Sequence, residues 1–230
     1  FKQKTAYEIR PRDWSSDVCS SDLSFPIEEL LNLYLPQFSG ILENYWGRNG
    51  IHFHSEYAGV VVLMLIGLAL GGPQTDGERR FKRFWVWTGV ASLIWALGRY
   101  TPLYNVIYYL VPLVKYMRAP STVFFVTAFA MSVLAAIGAE RAVAGAPQRG
   151  YLMGWLIAAG AVALLAMSGA LSSVAQALVA IPQFADRIDA GVGALKLGAL
   201  RSFVFVALGA GLLHAIGRGT IKAGQACAAL

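Results

Sequence analysis

Three groups of side chains have the types and spacing to do chemistry. Glu28 and Glu29 stand together in Ser24-Phe25-Pro26-Ile27-Glu28-Glu29-Leu30-Leu31. Paired carboxylates can act as acid and base, orient an acceptor or hold a metal. The same pair also has a structural reading, because Pro26 suits the first turn of a helix and carboxylates favour its positive start. Arg99, Lys115 and Arg118 form the second group, in Gly98-Arg99-Tyr100-Thr101-Pro102 and Lys115-Tyr116-Met117-Arg118-Ala119-Pro120-Ser121. Arginine grips a phosphate bidentately and lysine supplies a point charge, so the three could surround a lipid phosphate. Basic residues at helix ends also snorkel to headgroups beside tyrosines, which explains them without a ligand. The third group is His52, His54 and Glu56 in Ile51-His52-Phe53-His54-Ser55-Glu56. These are metal-ligand types, but a His-x-His pair without a further ligand is a weak metal signal, and an interfacial or hydrogen-bonded role is the favoured reading. No cofactor is expected, a divalent metal at these ligands being the one candidate. Neither a glycine-rich phosphate loop nor a nucleophile elbow is present.

The elements that must position these groups are set by hydropathy. Hydrophobic residues make up 57% of the 230-residue chain and charged residues 14%, against about 25% charged in a soluble domain. The apolar residues fall in five long runs, at 57–72, 84–97, 123–139, 151–171 and 202–216. A bilayer demands internally bonded backbone, so such runs are helices. Small-residue stretches such as Gly67 to Gly71 and Gly154 to Gly160 suit close helix approach. The predicted fold is an all-α integral membrane protein with about five transmembrane helices, external interfacial helices and broken loops. It reads as a truncated part of a larger polytopic fold. Pro102, Pro112 and Pro120 break residues 98–122 into a re-entrant or surface passage. Residues 172–201 are expected to form an interfacial helix broken at Pro182, with Asp186, Arg187 and Asp189 exposed.

Charge supplies an orientation. Arg79, Arg80, Lys82 and Arg83 are the densest basic cluster, which the positive-inside rule places in the cytoplasm with Arg141, Arg149, Arg218 and Lys222. Arg48, Arg99, Lys115, Arg118, Arg187, Lys196 and Arg201 then face outward. The net charge of +6 is read as membrane topology and contact with anionic lipid, and no nucleic acid is expected as a partner.

Residues 1–23 are expected to be artefactual. Asp13 to Leu23 matches an in-frame translation of a common short-read sequencing adapter, and Lys2 to Ile9 matches the other end of that oligonucleotide. Arg10-Pro11-Arg12 falls where its variable index would sit. Such a segment is left out of fold reasoning. Without Cys19 the remaining sequence holds only Cys227, which excludes a disulfide framework. Cys227-Ala228-Ala229-Leu230 imitates a prenylation box, and truncation explains it as well. The expected divisions are an external segment at 24–56, a helical membrane domain at 57–222 and a truncated tail at 223–230.

The two stretches that carry the carboxylates and the arginines also resemble the YfhO family of bacterial multi-pass membrane proteins. The matching residues are Pro26-Ile27-Glu28-Glu29-Leu30-Leu31, Leu35-Pro36-Gln37-Phe38, Tyr45-Trp46-Gly47, Tyr57-Ala58-Gly59 and Gly98-Arg99-Tyr100-Thr101-Pro102-Leu103-Tyr104 through Arg118-Ala119-Pro120-Ser121. The resemblance covers about residues 24–140. It implies a glycosyltransferase of the GT-C class in the bacterial cytoplasmic membrane. Such an enzyme transfers a sugar from a polyprenyl-phosphate donor to a lipid-linked or cell-surface polymer on the external face. The family's carboxylate generally lies in a first external loop, which here would be missing, so the fragment alone is expected to be inactive. Lys115 and Arg118, with Arg99, are then the expected phosphate-binding residues. The other reading is a non-enzymatic transporter or scaffold for envelope polymers.

Overall fold

The computed structural model describes residues 24–41, 44–48, 56–72, 74–110, 120–145, 147–178 and 184–219. Among them the regular structure is entirely helical, and seven α-helices follow one another. They are α1 (Val60–Leu70), α2 (Asp76–Leu97), α3 (Pro102–Leu110), α4 (Phe124–Ala144), α5 (Arg149–Met167), α6 (Ala170–Leu178) and α7 (Ala185–Gly217). A 3-10 turn at Ile27–Leu33 precedes them. Two further turns, Gly98–Tyr100 and Pro120–Val123, lead into α3 and α4.

Three helical stretches are long and apolar enough to cross a membrane: Pro120–Ala144, Arg149–Met167 and Ala185–Gly217. They correspond to the third, fourth and fifth apolar runs. The first two runs fall short for different physical reasons. α1 is apolar but has 11 residues, about 16 Å of helix against a hydrocarbon core of about 30 Å. α2 has 22 residues, but its first two turns carry Asp76, Glu78, Arg79, Arg80, Lys82 and Arg83. It starts eight residues before the apolar run at Phe84 because Thr75 and Glu78 make a reciprocal capping box, Thr75 N donating to Glu78 at 2.9 Å. The other difference lies in α7. Residues 185–201, expected as an interfacial helix, are continuous with the fifth run in one 33-residue helix. Pro182 lies outside the described residues, and no proline follows it to interrupt the helix. Asp186, Arg187 and Asp189 are exposed on its first turns.

α1 and α4 run in the same direction, Leu65 lying beside Gly138 and the Leu68 and Ala69 carbonyls beside Arg141, and form the tightest pair. A Cβ on Gly138 would collide with the Leu65 carbonyl, so only glycine permits this approach. Met64, Val206 and Leu213 are fully buried where α1, α4, α5 and α7 converge. α2 packs on the other side of α4, where Ser92 and Thr127 hydroxyls meet at 2.8 Å across the helices. Both are buried, so the bond satisfies two groups that apolar surroundings would otherwise penalise.

The bundle has two polar ends. At one, Arg141 of α4 donates to the Leu68 and Ala69 carbonyls at 3.4 and 3.2 Å, capping the C-terminus of α1. At the other, residues 24–41 and 44–48 fold across the ends of α2, α4, α5 and α6 and along the first half of α7.

Candidate functional site at the Arg99 end

The segment 24–48 is built as a cap. Phe25 stacks on Phe124 with centroids 5.0 Å apart, and its backbone N–H donates to the Ala96 carbonyl at 2.8 Å. Leu35, Phe38 and Trp46 bury themselves against Ala166, Ala175, Ile188, Leu195 and Ala199. Gly198 has Pro36 O 2.7 Å from where a Cβ would stand, so α7 is small where the cap crosses it. The returning chain is fixed by polar bonds: Asn32 Nδ2 donates to Ser39 Oγ at 2.7 Å, and Trp46 Nε1 to the Phe38 carbonyl at 3.1 Å. The Ser202 hydroxyl of α7 donates to the Tyr34 carbonyl at 3.0 Å.

Glu28 and Glu29 lie in the first turn of the 3-10 helix, with Pro26 at its N-cap. Both are buried. Arg48 grips Glu28 with two parallel bonds, Nε to Oε1 at 2.9 Å and Nη2 to Oε2 at 2.8 Å. The Arg48 backbone N–H adds a third, at 3.3 Å. Burial pushes the Glu28 carboxyl up, but the Arg48 hydrogen bonds and charge outweigh it and hold the group below its ordinary range. Glu29 Oε1 accepts from the Tyr45 hydroxyl at 2.5 Å. The carboxylates therefore tie the cap's first turn to its last.

Arg99 sits where the cap meets the bundle. The Ser24 hydroxyl accepts its backbone N–H at 3.1 Å, and a Cβ on Gly98 would collide with that same hydroxyl. The Arg99 side chain is exposed. Its guanidinium lies 5.4 Å from the Tyr100 ring centroid, and Arg48 lies 4.9 Å from the same centroid. Two guanidinium groups from residues far apart in sequence thus gather at one aromatic ring, within cation–π range.

Of the other sequence candidates, Lys115 and Arg118 lie outside the described residues, as do His52 and His54. Glu56 is half-buried just before α1. Among the described residues no group of three or more His, Cys, Asp or Glu side chains is placed to hold a metal ion. Sequence reading missed Arg48 and Tyr100 as members of the cluster. The only signal for them was an arginine just after the Tyr45-Trp46-Gly47 turn and a tyrosine beside Arg99. A cleft lies next to the cap, lined by Phe38, Ile41, Asn44, Ile188, Gly191 and Leu195. Arg187, at the start of α7, donates to the Tyr45 carbonyl at 3.0 Å.

Compared with known proteins, the chain matches no family model, no curated protein and no solved structure.

Proposed function

We propose that residues 24–230 are part of a multi-pass bacterial cytoplasmic-membrane glycosyltransferase. It moves a sugar from a polyprenyl phosphate to a lipid-linked or cell-surface polymer on the external face. In this reading α1 and α2 complete a five-helix membrane domain, and α3 and α6 lie at the interface. One observation carries the proposal. The two stretches that resemble the YfhO family, 24–48 and 98–100, meet at one end of the bundle and bring Arg48 and Arg99 to the Tyr100 ring. Exposed Arg99 then offers a cation to a departing phosphate, whose developing charge it would stabilise. Lys115 and Arg118 join it in the proposal on the resemblance alone.

A second reading is favoured by the fate of the carboxylates. Glu28 is held by Arg48 and Glu29 by Tyr45, as structural ties within the cap. A transporter or scaffold needs such a cap and no external acid. Sugar transfer in membranes expressing the intact gene that encodes residues 24–230 separates the two. Arg99→Ala is expected to lower transfer by about tenfold or more, as loss of a charge-stabilising donor does, with membrane insertion unchanged. Transfer that survives the substitution removes Arg99 as a phosphate ligand, and no transfer by the parent protein leaves the scaffold reading.

A further inference from the structure

An arginine on the outer face of α7 stands where a membrane helix seldom keeps one. α5 and α7 run antiparallel, Leu152 packing in one cluster with Leu213 and Ala166 in another with Leu195 and Ala199. Phe203 of α7 is level with Gly160 of α5, its ring 3.7 Å from where a Gly160 Cβ would stand. From that level α5 continues to its end at Met167, whereas Arg201 is only two residues from Phe203. Arg201 therefore lies roughly 7 Å inside the end of α5, within the apolar length of the bundle. It is exposed, and so are Leu197, Phe205 and Leu208 on the same face. Among the described residues it has no hydrogen bond or ion pair. Arginines at membrane depth pair with other groups or face a polar interior, and this one does neither.

The same face of α7 leads outward to the cleft beside the cap. Ala194, nearly two turns before Arg201, stands about 10 Å further out on that face. It is exposed, as is Ala190 beyond it, and it lines the cleft. Side chains tilt toward the N-terminus of their helix, which carries the Arg201 guanidinium in that direction. No charged residue lines the cleft. Phe38, Ile41, Ile188 and Leu195 give it apolar walls, and Gln37 and Asn44 bring side-chain amides, both exposed. Gln37 holds a φ of +63°, a conformation that costs a non-glycine residue about 1 kcal/mol or more. Gly191 leaves open space in the wall, with nothing within 4 Å of where its Cβ would stand.

Each part of this surface selects one part of a lipid. A guanidinium near the edge of the hydrocarbon matches a phosphodiester, the anion that a bilayer presents there. Phe205 and Leu208, one and two turns further in, face acyl chains. The cleft disfavours a head group carrying an ammonium, because no carboxylate lines it to pair with that charge. Amides both donate and accept, which suits hydroxyl groups. We propose that Arg201 and the cap cleft form one binding site for a phospholipid with an uncharged, hydroxylated head group, of the phosphatidylglycerol kind. Arg201 holds the phosphate, and the diol enters the cleft toward Gln37, Asn44 and Gly191. The site is separate from Arg99, which meets the cap at Ser24, and it stands whether or not the protein transfers sugar.

The test is native mass spectrometry of the detergent-purified 230-residue chain, titrated with phosphatidylglycerol, phosphatidylethanolamine or phosphatidylmethanol. The last keeps the phosphodiester charge and lacks the diol. Phosphatidylglycerol is expected to bind about fivefold more tightly than either, the contribution of one or two hydrogen bonds. Arg201→Gln should weaken phosphatidylglycerol and phosphatidylmethanol alike, by about fivefold, as loss of one basic residue near a membrane surface does. Gly191→Phe, which fills the cleft, should erase the preference between those two lipids and leave phosphatidylmethanol binding as it was. Ala194→Leu fills the cleft from the neighbouring turn and should do the same, which covers a Gly191→Phe chain that does not fold. Arg218→Gln, an equal charge change at the other end of α7, should alter neither lipid. No preference in the parent chain, or one that survives both cleft substitutions, would overturn the proposal and leave Arg201 snorkelling to bulk head groups. Equal losses in Arg201→Gln and Arg218→Gln would overturn it in favour of diffuse attraction.

Discussion

At the scale of single residues, the Glu28–Arg48 pair decides how the cap holds together. The Glu28 side chain is 1% exposed and that of Arg48 41%, so one partner is desolvated while the other stays in contact with water. Removing Arg48 strands a buried carboxylate. Loss of one partner from a fully buried pair costs about 3–5 kcal/mol, and solvent screening at the exposed arginine reduces this. Arg48→Met is therefore expected to lower stability by about 2 kcal/mol, read as a lower midpoint of thermal unfolding in detergent. The pH dependence has a definite sign. The native Glu28 carboxyl lies below its ordinary value of 4.5, so its stabilisation is complete above that value. It fades as pH falls below 4.5 through the lowered native value. Glu28→Gln should flatten this acid-side slope, and a slope that survives the substitution would assign acid sensitivity to another group. The sequence made the adjacent carboxylates conspicuous, but not their use. A helix-start role follows from Pro26 and local spacing, whereas Arg48 reaches Glu28 only because the chain reverses between Phe38 and Trp46. That reversal depends on Asn32–Ser39 and Trp46–Phe38 bonds, which have no periodic signature.

At the scale of elements, glycine placement sets which helices touch. Gly98 combines a φ of +49° with a Cβ direction blocked by the Ser24 hydroxyl. Gly98→Ala should cost about 1–3 kcal/mol from backbone conformation alone, with further loss as the cap is displaced. Ser24→Gly in the same background removes the steric obstacle and should recover part of that loss; no recovery would mean that backbone conformation carries all of it. Gly138 is the stricter case, because the obstacle is the Leu65 carbonyl, a backbone atom that cannot rotate away. Gly138→Ala must push α1 from α4, and overpacking of this kind costs about 1–3 kcal/mol. Gly154→Ala, with nothing within 4 Å of its would-be Cβ, should be neutral in the same unfolding assay. Runs of small residues were legible as membrane-helix composition, yet they did not reveal the contact. Gly154 lies in one such run and meets nothing, while Gly138, flanked by Ala135, Ala136 and Ala139, carries the closest approach. Which face of a helix meets another depends on partners distant in sequence. Helix ends divided in the same way: the fifth apolar run was plain, but its continuity with residues 185–201 in α7 was hidden by their charge.

At the scale of the whole molecule, charge separates the two ends that the helices hold apart. α5, with 19 residues, spans about 28 Å, close to the thickness of a hydrocarbon core. Arg79, Arg80 and Arg83 lie at the Arg141 end, and Arg48, Arg99 and Arg187 lie at the cap. Counted residue by residue the two ends are almost equally basic, so orientation rests on the density of the cluster before Phe84. In the proposed orientation the clustered arginines face the cytoplasm, because basic residues close to a helix end resist translocation. This makes a prediction that needs no knowledge of a substrate. With Cys19 and Cys227 replaced by serine, single cysteines at Arg80 and Arg187 should label differently with a membrane-impermeant maleimide. Residue 187 should react in intact cells and residue 80 only after lysis. Labelling of both from one side would contradict a bundle that crosses the bilayer between these ends. The reverse pattern would keep the bundle but turn the cap inward, placing Arg99 away from the face where a polyprenyl-phosphate donor is proposed to act.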